Sequence, residues 1–193
     1  MDQQELQATI SAAQAGRGEA YRALLEAYWP RLYGYFLRAV GNHHDAEDLL
    51  GEMALKLVRQ LKSYDDRGRF DPWLFRIAAN MVRDRIRRIK VRPRTGSLSA
   101  DGRDGRSLAD RLPGNDLPAD GPMALAEMSA ELNAALEKLD ATTRQMVLLR
   151  HFGAMSFKEL ASMFDCPIGT ALAKVHRGLA ALRRLMGGDN GIE

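Results

Sequence analysis

The sequence predicts an all-α protein: two small helical domains joined by a flexible linker, the C-terminal one containing a helix-turn-helix. Three observations carry this. Apolar residues recur every three or four positions through both ends of the 193-residue chain, and no stretch alternates convincingly as a strand. Between those ends, Arg92 to Gly121 holds five glycines, three prolines and no aromatic residue, too little apolar surface to fold on its own. Near the C-terminus a capped short helix, a turn with proline and a second amphipathic helix follow one another. The expected division is therefore a domain over 1–91, a linker over 92–122 and a domain over 123–193.

The first domain begins with helices broken at Gly16-Arg17-Gly18 and at Gly41-Asn42. Tyr21, Leu24, Leu25, Tyr28, Leu32, Phe36 and Val40 make one apolar stripe, and Leu49, Leu50, Met53, Leu57 and Leu61 make the next. The aromatics Tyr28, Trp29, Tyr33 and Phe36 read as core packing rather than a ligand box, because buried aromatics dominate small cores.

The last helix of this domain carries the first chemical signal. Asp71-Pro72 reads as an N-cap followed by proline at the first helical position, and Arg92-Pro93 discourages continuation beyond about Val91. At about 100° per residue, Leu74, Phe75, Ala78, Met81, Val82, Ile86 and Ile89 share one face, the core side. Trp73, Arg76, Asn80, Arg83, Arg87, Lys90 and Arg94 share the other. From Arg83 to Arg94 there are seven bases and one acid, Asp84. A solvated helix usually interleaves acids with bases. This one does not, so a polyanion is its natural partner. The Trp supplies a stacking surface, and Asn80 a donor and an acceptor for a base edge. The preceding loop adds Tyr64, Arg67, Arg69 and Phe70, again aromatics among arginines.

Helical patterning resumes after the linker with Met123, Leu125, Met128, Leu132, Leu136 and Leu139. Ser156 and Glu159 then form a capping box that opens a short helix through Phe164. Asp165-Cys166-Pro167 makes the turn. In the helix that follows, Ile168, Ala171, Val175, Leu179 and Leu182 are expected to form the buried seam, with Leu172 packing beside it. Thr170, Ala173, Lys174, Arg177 and Arg184 face outward, with His176 at the margin, an arrangement suited to the major groove of a duplex.

Composition narrows the setting. Apolar residues are 46% and charged residues 27% of the chain, with a net charge of +3, the balance of a globular protein. The single cysteine, Cys166, excludes an internal disulfide framework. No apolar run reaches membrane-spanning length, and the N-terminus lacks a signal-peptide pattern. The expectation is a cytoplasmic protein without membrane insertion.

Taken together, these stretches resemble the extracytoplasmic-function (ECF) sigma factors of bacterial RNA polymerase. "DAEDLLGEMALKL" from Asp45 to Leu57 is similar to the family's polymerase-docking signature, and "WLFRIAANMVRDRIRR" to its promoter-melting helix. "ALEKLDATTRQMVLLRHFGAMSFKELASMFDCPIGTALAKVHRGLAALRR" is similar to its minus-thirty-five-reading domain. The resemblance implies that Asp45, Glu47, Asp48, Leu49 and Glu52 bind core RNA polymerase. It implies that Phe70, Trp73, Arg76, Asn80, Arg83 and Arg87 hold the melted minus-ten strand. It implies that Lys158, Thr170, Ala173, Lys174, His176 and Arg177 read the minus-thirty-five duplex. The linker, with Asp110, Asp116 and Asp120, would thread toward the catalytic cleft. Partners would be core polymerase, promoter DNA and an anti-sigma factor, with no cofactor, no metal and no enzymatic activity of the chain itself. Departures from the family pattern are Gly51, Ala171, Leu172 and Ala173.

Two other readings compete. A metal-dependent nuclease could draw on "HHDAED" at His43 to Asp48, but a metal needs ligands that converge, and no second acid–histidine cluster occurs. An ordinary helix-turn-helix regulator explains the C-terminal half and leaves the Trp–Asn–Arg stripe without a role.

Overall fold

The computed structural model describes residues 1–65, 67–91 and 121–187, and among these the fold is all-helical. The helices are α1 (Gln3–Gln14), α2 (Gly18–Val40), α3 (His43–Leu61), α4 (Phe70–Val91), α5 (Gly121–Glu137), α6 (Ala141–Phe152), α7 (Phe157–Met163) and α8 (Ile168–Leu185). Both expected glycine breaks separate helices. Gly41 ends α2 in the left-handed region (φ 82°), with its N–H returned to the Leu37 carbonyl, a conformation glycine adopts without Cβ strain. Of the expected linker, residues 92–120, with Asp110, Asp116 and Asp120, lie outside the described residues, while its last two, Gly121 and Pro122, already belong to α5.

Helices α1 to α4 form one lobe. Its core takes Leu24, Tyr28, Leu32 and Phe36 from α2, and Leu49, Leu50, Met53, Leu57 and Leu61 from α3. From α4 it takes Leu74, Phe75, Ala78, Met81 and Val82. These are the spacings read from the sequence, because a single amphipathic helix fixes which side chains share a face. Tyr21, Leu25 and Val40 lie at the edge of the core, half-buried.

The start of α4 differs from expectation. The helix begins at Phe70, so Asp71 sits in its first turn rather than before it. Its carboxylate accepts from the Tyr28 hydroxyl (2.5 Å) and pairs with Arg31 (2.7 Å). Asp71 thus ties α4 to α2 instead of capping its own helix.

Helices α5 to α8 form the second lobe around Leu136, Met146, Leu149, Leu160, Ala171, Val175 and Leu182. The Ser156–Glu159 capping box opens α7 as the sequence predicts. The seam of α8 needs correction. Ala171, Val175 and Leu182 are buried, but Ile168 and Leu179 are 53% and 48% exposed, and Leu172 is also exposed. On the helical wheel these three lie just beyond the buried arc, whose place beside them is taken by Gly178. A Cβ at Gly178 would fall 2.7 Å from Thr143 Cγ2 and 2.9 Å from Val147 Cγ2. The glycine therefore lets α8 approach α6 closely, and that approach rotates Ile168 and Leu179 outward.

The lobes pack against each other, mainly through α2 and α6, and their buried side chains form one continuous cluster. Phe152, at the end of α6, lies edge-on to Tyr35 with ring centroids 6.4 Å apart. It also covers Gly34, where a Cβ would stand only 3.0 Å from the ring.

Candidate nucleic-acid interface

The outer edge of α4 is built as the wheel predicts. Arg76, Asn80, Arg83 and Arg87 are exposed along it, three or four residues apart. Trp73 is half-buried at its head, its ring 4.4 Å from that of Tyr64 and 5.4 Å from that of Phe70. Phe70 is 2% exposed and wedged between Tyr28 and Tyr64. It therefore supports the shelf from beneath and offers no face to a base.

The charge on α4 is less free than its composition suggests. Arg87 pairs with Asp84 at 2.9 Å. Arg85, on the flank of the stripe, binds Asp45 and, at 3.3 Å, Asp48, both from α3. Burial pushes the Asp45 carboxyl upward, but hydrogen bonds from Asn42 and Arg85 outweigh it and leave the group below its usual range. These two acids thus converge on an arginine. His43 meets the Tyr33 hydroxyl at 2.7 Å, while His44 lies 3.9 Å from Asp48. Of the remaining residues expected to dock, Leu49 is 2% exposed and belongs to the core, Glu47 is half-buried, and Glu52 is exposed. Next to Glu52 on the surface is Leu55, 62% exposed, an apolar residue outside the expected docking set. Its apolar character within an amphipathic helix is the signal that marks it.

The second lobe presents the outer face of α8. Ala173 and Arg177 are exposed and Thr170 is half-buried beside them, while Arg177 Nε donates to the Ala173 carbonyl at 3.3 Å. Lys174 points elsewhere: it is turned toward the start of α6 and meets Asp140 at 3.6 Å. His176 is exposed at the margin, its ring stacked at 6.2 Å on Phe157, and Lys158 is exposed on α7. The arrangement is a short helix, a tight turn with Asp165 at φ 48°, and a longer helix with one free face.

Residues 24–92 match the model of sigma-70 region 2, and residues 129–182 match that of sigma-70 region 4. The RNA polymerase sigma factor CarQ of Myxococcus xanthus is 31% identical over 172 residues, spanning 89% of this chain and 92% of CarQ. The chain belongs to the ECF sigma factors. The ECF sigma factor SigW of Bacillus subtilis is 29% identical over 176 residues, covering 91% of this chain and 93% of SigW. Among solved structures, CnrH in complex with the cytosolic domain of CnrY has a TM-score of 0.61 at 23% identity, covering 94% of this chain and 97% of that one. The sigma factor RpoE, in complex with the anti-sigma factor NepR from Bartonella quintana, also scores 0.61, at 22% identity, and covers 88% and 98%. These two likenesses establish the fold. As a sigma factor the chain partners core RNA polymerase and directs promoter recognition and transcription initiation, and such factors are not enzymes. No helix among the described residues is long and apolar enough to cross a membrane.

Proposed function

We propose that this ECF sigma factor divides its work as follows. The lobe over 1–91 docks on core polymerase and opens the minus-ten element. The lobe over 123–193 reads the minus-thirty-five element as a duplex, and residues 92–122 connect them. The observation that carries the reading is the exposed row Arg76, Asn80, Arg83 and Arg87 headed by the Trp73 shelf. Guanidinium groups spaced along a helix follow a phosphate backbone, and the aromatic head stacks an unpaired base whose partner strand has left. Phe70 and Leu49 act beneath the surface, holding the shelf and the docking helix in place.

Docking falls to Glu47, Asp48 and Glu52 on α3, with Leu55 as an apolar centre, the usual anatomy of an interface with a polar rim. In the second lobe Arg177 is the main hydrogen-bonding reader, Ala173 offers a surface to a thymine methyl, and Lys158, Thr170 and His176 flank them. Lys174 contributes positive charge from the edge. The site of action is the cytoplasm, where a bacterial polymerase works. RpoE was captured with the anti-sigma factor NepR and CnrH with the cytosolic domain of CnrY, and we assign this chain an anti-sigma partner by likeness to the RpoE complex.

The test is transcription initiation by purified bacterial core polymerase, with and without this protein, on a library of promoter fragments. Initiation that requires the protein and selects fragments sharing two spaced elements supports the reading. Tight duplex binding by the protein alone, with no gain to the polymerase, would favour an ordinary helix-turn-helix regulator.

A further inference from the structure

Helix α1 precedes the stretch matched to sigma-70 region 2, which begins at residue 24, and the promoter reading gives it no task. It packs on α2 and α3, yet the residues it buries are Ile10 and Ala13 alone. Its polar residues point to a second role. Gln14, the last residue of α1, is half-buried, and its Nε2 donates to two carbonyls, that of Leu61 at 3.0 Å and that of Tyr64 at 2.6 Å. A side-chain amide has two N–H donors, so both are engaged here.

Leu61 ends α3, where carbonyls run out of partners within their own helix, and its carbonyl also accepts from the Tyr64 N–H at 3.1 Å. Gln14 therefore pins, from a separate helix, the turn by which the chain leaves α3. That turn carries the Tyr64 ring, 4.4 Å from Trp73 and 5.6 Å from Phe70. Phe70 and Trp73 both stand on α4, whose backbone fixes their spacing. Tyr64 comes from the loop before α4, so its place against Trp73 depends on what anchors that loop.

The other end of α1 meets the same loop. Gly68 has φ 68°, and a Cβ there would stand 3.2 Å from the Gln3 Nε2. Gln3, Leu6 and Gln7 face Arg67, Gly68 and Arg69 across a cavity of about 680 Å³. Helix α1 thus flanks the loop near both of its ends, with Gln14 bonded to the end that bears Tyr64.

We infer that Gln14 is a positioning residue for promoter opening: its two hydrogen bonds seat Tyr64 against Trp73 and so set the aromatic shelf on which the unpaired base stacks. This rests on the promoter reading above. Gln14 acts through Tyr64 rather than by touching the strand. Without it the Tyr64 turn is less ordered, and the lost order has to be restored when the base docks, which weakens the stack.

The test uses the full chain with core polymerase on a promoter recovered from the library. Gln14→Leu preserves helix propensity and removes both donors. Gln14→Glu keeps the shape and turns acceptors toward the two carbonyls. In a Trp29→Phe background Trp73 is the remaining tryptophan, and acrylamide quenching of its fluorescence in the protein alone reports the seating of Tyr64. Both variants should be quenched more readily and should co-purify with core polymerase as before. By permanganate reactivity they should open the minus-ten element roughly five-fold less well or worse, as weakening of a stacked base implies. Once Trp73→Ala is present, Gln14→Leu should lower opening no further, because the two act through one contact. Ala39→Gly, beside the Gly41–Asn42 turn and at the opposite end of α3 from Leu61, weakens a helix of the same lobe and should open promoters normally. The assignment is overturned if quenching or opening is unchanged in both Gln14 variants, if the Gln14 and Trp73 losses simply add, or if Ala39→Gly loses opening to the same degree. Normal opening by Trp73→Ala alone would strike the promoter reading instead, and the quenching would still decide whether Gln14 seats Tyr64.

Discussion

Glu159 uses its two carboxylate oxygens for different lobes: Oε2 accepts from the Ser156 N–H at 2.8 Å to cap α7, and Oε1 holds Arg69 at 2.5 Å. Burial alone would raise this carboxyl, but the Ser156 hydrogen bonds and Arg69 outweigh it, so its pKa lies below the usual glutamate value. A lowered folded pKa means that stability is fully present above the unfolded value, about 4.3, and is lost as pH falls through the folded one. Thermal melts should therefore show Glu159→Gln less sensitive to acid over that window than the native chain. Glu159→Ala, which also loses the cap, should cost about 1 kcal/mol more than Glu159→Gln at neutral pH. Equal melting of the two variants would show that the cap contributes nothing.

Arg85 binds α4 to α3 through Asp45 and Asp48. Arg85→Met should destabilise the first lobe by about 1–3 kcal/mol, because the half-buried Asp45 keeps its charge and loses its partner. Acid should weaken the native chain here too. The Asp45 carboxyl is held low, so its contribution disappears as pH drops through the lowered value, and Arg85→Met should show a shallower acid limb. Urea melts at neutral pH and at about pH 4 would measure both effects.

Much of this arrangement was legible in the sequence, and most of the misses share one cause. The α3 seam from Leu49 to Leu61 and the α4 row from Arg76 to Arg87 follow from helical spacing alone. So does the Ser156–Glu159 box, since its partners lie three residues apart. Spacing is silent about partners distant in sequence. The recruitment of Asp71 by Tyr28 and Arg31, of Arg85 by α3, and of Lys174 by Asp140 all depend on helices meeting across the fold. Phe70 is hidden by Tyr28 and Tyr64 for the same reason. Leu49 is a different case: the sequence placed it both in a seam and on a docking surface, and packing decides for the seam. The exposure of Ile168 and Leu179 reflects a helix rotation set by Gly178, which no periodicity reveals.

Trp73 and Asn80 should separate on mutation. Asn80→Ala removes an exposed amide and should leave the melting temperature unchanged while lowering promoter opening with polymerase. Trp73→Ala also empties part of the cluster with Tyr64 and Phe70, and should cost about 1–3 kcal/mol of stability in addition. The double variant should open promoters at least about ten-fold less well, the effect of losing a stacked base worth about 1–3 kcal/mol. It should bind core polymerase as before. Permanganate footprinting for opening and co-purification for binding give the two readouts, and normal opening would remove both residues from the minus-ten site.

Arg177 and Lys174 make a second contrast. Arg177→Ala should weaken binding to the upstream element by about 1–3 kcal/mol and relax the base preference at one position. Lys174→Ala should reduce affinity evenly across sequences, as loss of a general cation does. A library selection performed with each variant would distinguish the two patterns, and an unchanged preference with Arg177→Ala would exclude it as a reader.

Gly178→Ala should go against helix propensity. Alanine normally favours a helix over glycine by about 1 kcal/mol, yet here its methyl meets Thr143 and Val147 at 2.7 and 2.9 Å. Overpacking of this kind costs about 1–3 kcal/mol, so the variant should melt lower. A higher melting point would show that α8 can shift away from α6 at no cost.

The same glycine divides α8 into two sides with different histories open to them. Any replacement at position 178 adds a Cβ and presses on α6, so the inner side is closed to drift. On the outer side, Ala173 and Arg177 touch little of their own protein and can be exchanged without disturbing the fold. A duplicated copy of this chain could therefore acquire a new upstream target through a few outward substitutions while its architecture stayed intact, which is the freedom a lineage needs to multiply such factors.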